Sequence, residues 1–288
     1  MQTIIGIGEA GCNIADQFAN YPQYKIYKID TGLQKAPRCY NFPEYDHPEK
    51  YEENCPSLKR FFKNVKDGVL VVTSCGLISA AILRILEQIK HKCQISILYI
   101  RPDRALLPEL KTLNDNVLFH ILQEYTRSAL FERIYLVDNV QVSKIVGDVP
   151  IREHFNKLNE LVVYTIHMMN VFNNTEPETT TFAPFIETAR MSTFSLLNYE
   201  TGEEKPFFDL DIPREKRYYY GVPEKRLQTD GTLLKKIGEQ LKEQKQYDKM
   251  MMSYAVFSTD YEDVYAFSLL NSSVVQNNKF RLDKDLNL

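Results

Sequence analysis

Tryptophan is absent from the 288 residues, glycine is scarce at 11, and the five cysteines are odd in number. So few glycines exclude a collagen-like chain. Cys12, Cys39, Cys55, Cys75 and Cys93 are scattered and show no CxxC spacing. They provide neither a disulfide framework nor a zinc site, and they fit a reducing cytoplasmic setting. No run approaches the ~18–20 apolar residues that a bilayer-spanning helix needs. The opening MQTIIGIGEAGCNI lacks the basic stretch and cleavage pattern of a secretory signal. Lys and Arg number 35 against 38 Asp and Glu, so no broad basic field invites nucleic acid or anionic lipid.

What is present is ordinary globular stuff, 44% hydrophobic and 25% charged, with 18 Tyr and 16 Phe supplying the large rings. The length allows one large domain or two ordinary ones. Thr3–Ile7 reads as a buried strand, Gly8–Gly11 as a turn and Asn13–Ala19 as a helix start. Tyr24–Ile29 alternates as a second strand. Residues 35–57 hold four prolines and read as a long loop. The β-branched run Gly68–Thr73 predicts a strand covered on both faces. Helical spacing follows over Ser79–Lys90, a strand over Gln94–Ile100, one or two helices over Leu106–Phe131 and a strand over Ile134–Val137. This alternation predicts an α/β fold, a Rossmann-like parallel sheet with helices on both faces.

Ile151–Phe172 is the longest helical pattern, with apolar residues at three- and four-residue steps. Beyond it the character changes. A Tyr-rich stretch, a helix near Leu233–Gln244 and two alternating runs, Met252–Ser258 and Val264–Leu270, predict a smaller C-terminal α+β domain with a hairpin. The expected division is residues 1–150, a central helix 151–175, and residues 176–288. Lys235, Lys236 and the Lys242–Lys249 stretch read as a solvated helix face, and the last dozen residues read as frayed.

Chemistry concentrates at strand-to-helix junctions. Gly6, Gly8 and Gly11 fit G-x-G-x-x-G, where missing Cβ atoms let the backbone turn and approach a phosphate at a helix start. The same pattern suits a dinucleotide enzyme with Asp30 on the ribose, about 20 residues on. Cys75 lies beside a turn and a helix start, a setting that can lower a thiol pKa. The five histidines show no metal-ligand spacing, and no metal site is expected.

Four segments together resemble the tubulin/FtsZ superfamily. IIGIGEAGCNIADQF is similar to its first nucleotide loop, and Asp30–Gln34 to a strand-end segment reading Asn-Thr-Asp-Ala-Gln. Asn139 falls where the family has a nucleotide-contacting asparagine. The Ile151–Phe172 helix looks like the family's central helix, in which an aromatic ring stacks on guanine and an asparagine four residues later reads the base. Phe155 and Asn159 have that spacing, and it places them on one helix face. The resemblance thus implies nucleotide contacts from Gly8, Glu9, Ala10, Gly11, Cys12, Asn13, Thr31, Ser74, Gly76, Asn139, Phe155 and Asn159. It implies GTP or GDP, with Mg2+ as a companion, and head-to-tail filaments of the chain with itself or with a related filament protein. It implies no direct nucleic-acid or membrane partner.

Two departures bear on catalysis. The family's phosphate loop reads roughly Gly-Gly-Gly-Thr-Gly-Thr/Ser-Gly, whereas this chain has Thr73-Ser74-Cys75-Gly76-Leu77-Ile78-Ser79. The family's catalytic loop carries acids that act on the neighbour's nucleotide, yet residues 176–190 contain no Asp. Glu187, before a helix-like stretch 187–194, stands nearest the expected catalytic position. At most a slow GTPase is expected; the alternative is a structural or adaptor module of the same fold that does not depend on nucleotide.

Overall fold

The computed structural model describes residues 2–66, 68–243 and 250–277. Strand β1 (Thr3–Ile7) runs directly into helix α1 (Gly8–Phe18), so the expected turn at Gly8–Gly11 is instead the first turn of that helix. Then come β2 (Lys25–Asp30), β3 (Cys39–Asn41), α2 (Pro48–Glu53) and β4 (Val69–Thr73). The 35–57 stretch therefore holds a strand and a short helix rather than being loop throughout. A 3-10 segment Leu77–Ala81 leads to α3 (Ile82–Glu87), β5 (Ile95–Arg101), a 3-10 turn Arg104–Leu106 and α4 (Glu109–Arg127). The half closes with β6 (Arg133–Asp138), α5 (Asn139–Val146) and α6 (His154–Phe172), which starts three residues later than its apolar spacing suggests.

The second half contains β7 (Thr179–Thr180), β8 (Met191–Leu197), β9 (Glu204–Pro206), β10 (Pro213–Pro223), α7 (Glu224–Thr229), α8 (Leu233–Glu243), β11 (Met251–Thr259) and β12 (Tyr265–Ser272). The far end of the Lys242–Lys249 face and the frayed terminus lie outside the described residues. Among the described residues the strands form one sheet in the order β3-β2-β1-β4-β5-β6-β8-β12-β10-β11-β7, with β9 beside β8. The first six positions are parallel throughout.

Two expectations fail here for identifiable reasons. The 187–194 stretch is not helical, because Met191–Leu197 forms a strand, buried at six of its seven positions, between β6 and β12. The β11–β12 hairpin also does not form. Strand β10 lies between them, parallel to β11 and antiparallel to β12. Tyr218, Tyr219 and Tyr220 are all buried, and successive side chains point to opposite faces, so β10 must be covered on both. A central position in the sheet gives it that cover.

Helix α6 ties the two halves together. Leu158, Val162, Val163, Ile166 and Met169 share one core with Ile14 and Phe18 of α1, with Leu70 and Val72 of β4, and with Phe257 and Phe267 beyond. Each fully buried aliphatic side chain of this kind contributes about 1.5–3 kcal/mol. At the C-terminal end of α6, Phe172 stacks on Phe257 at 4.5 Å between centroids. Gly221 of β10 makes room for it, since a Cβ there would lie 2.7 Å from the Phe172 ring. On the opposite face of the first half, α3 and α4 cover a second core around Ile82, Leu86, Phe119 and Leu122. The other face of β10 carries a third, in which Tyr218 and Tyr220 pack with Leu233 and Ile237 of α8.

Candidate functional site

Strand β1 sits between β2 and β4, so the chain leaves it to one side and later returns on the other. In open parallel sheets, ligands bind outside the carboxyl ends of the strands at such a reversal. A cleft of about 390 Å³ opens there, lined by Gly8 and Glu9 after β1, Asp30 and Thr31 at the end of β2, and Gly76, Leu77 and Ile78 after β4. Glu44, Tyr45, Tyr51 and Lys111 complete it.

The three glycines of the opening motif do different work. A Cβ on Gly6 would lie 2.5 Å from the Gly11 carbonyl oxygen, and one on Gly11 would lie 2.3 Å from the Val72 carbonyl oxygen. Both are needed for α1 to rest on β1 and β4. Gly8 alone has the left-handed conformation, φ +74°, and its missing Cβ would stand 3.2 Å from Ile78 Cγ2. Glu9, Ala10 and Asn13 are exposed on α1. Cys12 points inward, its thiol directed at the carbonyls of Gly6 and Ile29, and burial pushes its pKa up to about 12.

The loop after β4 is held from within. Ser74 Oγ donates to Ile100 O at 2.6 Å, and Thr73 Oγ1 donates to Ser79 Oγ at 2.9 Å. Asn114 Nδ2 of α4 donates to the carbonyls of Cys75 and Gly76 at 3.0 and 2.9 Å. Asn114 is fixed in turn by its neighbours: Asp115 accepts from Tyr99 Oη at 2.6 Å and from Arg104 Nε at 2.7 Å. Burial raises the Cys75 pKa, the reverse of what its position beside a helix start suggests. Gly76 has open space where a Cβ would go, apart from Ser79 Oγ at 3.8 Å. Asn114 and Lys111 were not legible as site residues, since both read as ordinary positions of a helix two elements away.

Electrically the cleft is acidic, with Glu9, Asp30 and Glu44 against Lys111. Burial raises the Asp30 pKa; the Thr31 N–H bonded to its carboxylate opposes this, and the Glu9 charge adds to it. Both serine hydroxyls of the loop are already engaged. Donors in the cleft lining are backbone amides at the start of α1, Lys111, and the hydroxyl groups of Thr31, Tyr45 and Tyr51.

Phe155 and Asn159 lie outside that lining. Gln17, one turn beyond Asn13 on α1, donates through Nε2 to Asn156 O at 3.1 Å. The first turn of α6 thus runs beside the α1 face that carries Asn13. Phe155 is 61% exposed and touches His154 edge to face at 5.3 Å, while Asn159 is half-buried. Asn139 opens α5 and is half-buried, next to Asp138, whose carboxylate accepts from Val140 N at 2.8 Å.

Glu187 lies in an exposed turn of the 181–190 loop. That loop rests on a buried polar network. Arg133 Nη1 donates to Ala189 O at 2.9 Å, to Ser192 Oγ at 2.8 Å and to Asn271 Oδ1 at 2.7 Å. Arg217 Nη2 donates to Ala183 O at 2.6 Å and pairs with Glu215. The Phe185 ring covers both guanidinium groups, 3.4 Å from Arg217 and 4.4 Å from Arg133. Sequence reading missed this platform because its members are spread over β6, β8, β10 and β12.

No protein-family model matches the chain, and no curated protein does. Solved structures do. A GTPγS-form protofilament of TubZ from Bacillus thuringiensis serovar israelensis is 15% identical, with a TM-score of 0.69 over 94% of this chain and 86% of that one. An empty FtsZ dimer from M. jannaschii is 13% identical, with a TM-score of 0.69 over 94% and 87%. A GTPγS-bound protofilament of CetZ2 from Haloferax volcanii is 14% identical, with a TM-score of 0.70 over 94% and 92%. With its parallel first half, bridging α6 and mixed second half, the chain has the tubulin/FtsZ fold.

Proposed function

We propose that the chain binds a guanine nucleotide at the carboxyl edge of β1, β2 and β4 and assembles head to tail into filaments, with hydrolysis slow or absent. The observation that carries this reading is Phe155. On a helix whose other phenylalanine, Phe172, is buried, this ring is 61% exposed at the end beside α1. Its Cα–Cβ bond tilts toward the helix N-terminus, as on any α-helix. An exposed ring with a carboxamide one turn on is chemically matched to a purine, by stacking and by paired donor and acceptor.

The fit differs along the ligand. Phe155 and Asn159 would hold the base, with Asn13 and Asn139 as further polar contacts near it. The free amides of Gly8, Glu9 and Ala10 and the Lys111 ammonium would face the phosphates, with Gly11 letting α1 sit close beneath them, and Thr31 the sugar end. Glu9, Asp30 and Glu44 would oppose a highly charged terminal phosphate unless a divalent cation such as Mg2+ intervened. Bound nucleotide supplies charge and rigidity at a subunit junction, where the 176–190 loop of the next subunit would approach, with Glu187 its candidate acid. A heterologous contact of this kind need not close, so it propagates. The neighbours of known structure include GTPγS and GDP protofilaments of TubZ. The domain division 1–150, 151–175 and 176–288 belongs to the same reading. The engaged Ser74 hydroxyl and the acidic cleft favour the second reading, a filament or adaptor module indifferent to nucleotide.

Isothermal titration with GTP, GDP and ATP separates the two. Guanine nucleotides should bind, and Asn159→Ala should weaken them by about 1–3 kcal/mol. Absence of heat with all three would remove the binding claim, and nucleotide-independent polymers under the electron microscope would then establish the second reading.

A further inference from the structure

Helix α4 presents two different sides. Lys111 lines the cleft, and Asn114 holds the loop after β4. The outer side is apolar: Leu110, Leu113 and Val117 follow steps of three and four and are 37%, 55% and 61% exposed. Leu106, in the 3-10 turn ahead of the helix, is 77% exposed. A groove of about 250 Å³ runs along this side, deepened by Ala80, Leu83, Leu118 and Ile121. From Leu110 to Ile121 is about 16 Å along the helix axis, or three turns. An exposed apolar strip of this kind marks a surface that another molecule covers.

Charge selects the cover. Glu49 and Glu52 of α2 form the rim, and no Lys or Arg lines the groove. Glu49 is exposed and makes no ion pair among the described residues, while Glu52 has an exposed one to Arg84 at 3.5 Å. Glu109, exposed in the first turn of α4, adjoins Leu113 four residues on. Two such grooves placed face to face would set carboxylate against carboxylate, and an anionic lipid surface would meet the same charges. Nor does a complementary strip exist elsewhere among the described residues. Helices α5, α6 and α8 each expose a single large apolar side chain, Val140, Phe155 and Leu234.

We propose that the α4 groove seats an amphipathic helix of a partner protein, its apolar side chains against Leu110, Leu113 and Val117 and its Lys or Arg side chains toward Glu49, Glu52 and Glu109. The occupant is about three turns long and carries its anchors at three- and four-residue steps. The seat lies on the far side of α4 from Lys111, so its occupancy does not depend on nucleotide.

Fluorescence anisotropy on the full chain tests this with two labelled peptides. Both are alanine-based helices with leucine at steps of four, three and four; one carries lysine on both flanks of that strip, its twin glutamate. The lysine peptide should bind, and the twin should bind roughly tenfold more weakly. Leu113→Ser with Val117→Ser, which alters exposed positions only, should weaken the lysine peptide by roughly tenfold as well. Glu49→Lys should narrow its advantage over the twin. No binding of the lysine peptide, equal binding of both, or binding that the Leu113 and Val117 changes leave intact overturns the proposal. So does an advantage unmoved by Glu49→Lys. Self-association in sedimentation, or attachment to vesicles of phosphatidylcholine and phosphatidylserine, would also overturn it if lost on changing Leu113 and Val117, since a second copy or lipid would then be the cover.

Discussion

After β1 the chain enters α1 through Gly6, Gly8 and Gly11, with no side-chain bond capping the helix. After β4 it enters a 3-10 turn through Ser74, Cys75 and Gly76, and Asn114 together with the hydroxyl groups of Thr73, Ser74 and Ser79 holds the loop. The two junctions face each other across one cleft. The first gains its shape from missing Cβ atoms, so its peptide groups stay free to face a ligand. The second gains its shape from internal hydrogen bonds, which fix it but use up polar groups that a phosphate could have met. The two junctions thus present different surfaces to the cleft, backbone amides from the first and an internally bonded wall from the second.

The largest effect should come from filling the first junction. In Gly11→Ala the new Cβ would start 2.3 Å from the Val72 carbonyl oxygen, a backbone atom that cannot rotate away. Helix α1 would have to lift off β4, at a cost of about 3 kcal/mol or more. Urea unfolding measures this, and a loss below about 1 kcal/mol would show that the contact relaxes easily.

The second junction should break by subtraction. Asn114→Ala removes both amide bonds and leaves the buried Cys75 carbonyl without this donor, while the Gly76 carbonyl still accepts from Ser79 N, at a cost of about 2 kcal/mol. Asn114→Asp should cost more, because a carboxylate would face two carbonyl oxygens. If both variants unfold at the wild-type urea concentration, the loop holds its shape without α4.

This contrast also explains what could be read from the amino acids. The parallel half was legible because β-branched runs such as Val69–Thr73 alternate with helical spacing, and because glycine at a strand end has few other uses. Phe155 and Asn159 were singled out by resemblance to the superfamily's central helix, since spacing alone fits a core or solvated pair equally well; the exposure of the Phe155 ring is what the structure adds. The partners of the second junction were not, since Asn114 is 39 residues beyond Cys75 and nothing local distinguishes it from a solvated helix residue. The order of β10, β11 and β12 was hidden for a related reason. A five-residue link between two alternating strands reads as a hairpin, and only the burial of Tyr218, Tyr219 and Tyr220 on both faces of β10 shows that it must lie between them.

The smallest effect lies where the chain leaves α1. His167 of α6 stacks on Tyr21 with centroids 3.7 Å apart, and its Nδ1 accepts from Gln23 Nε2 at 3.3 Å and meets Tyr24 Oη at 3.1 Å. Burial lowers its pKa below the ordinary 6.5. The unfolded chain therefore takes up this proton first as pH falls. The contribution of neutral His167 is fully present above about pH 6.5 and is lost as pH drops below that value toward the folded-state pKa. Protonation would also turn the Nδ1 acceptor into a donor facing the Gln23 amide. Between pH 8 and pH 5, the urea midpoint of the wild type should therefore fall further than that of His167→Gln, which has no ring to protonate. Parallel curves would mean that the exit of α1, unlike its glycine-built entrance, does not depend on this contact.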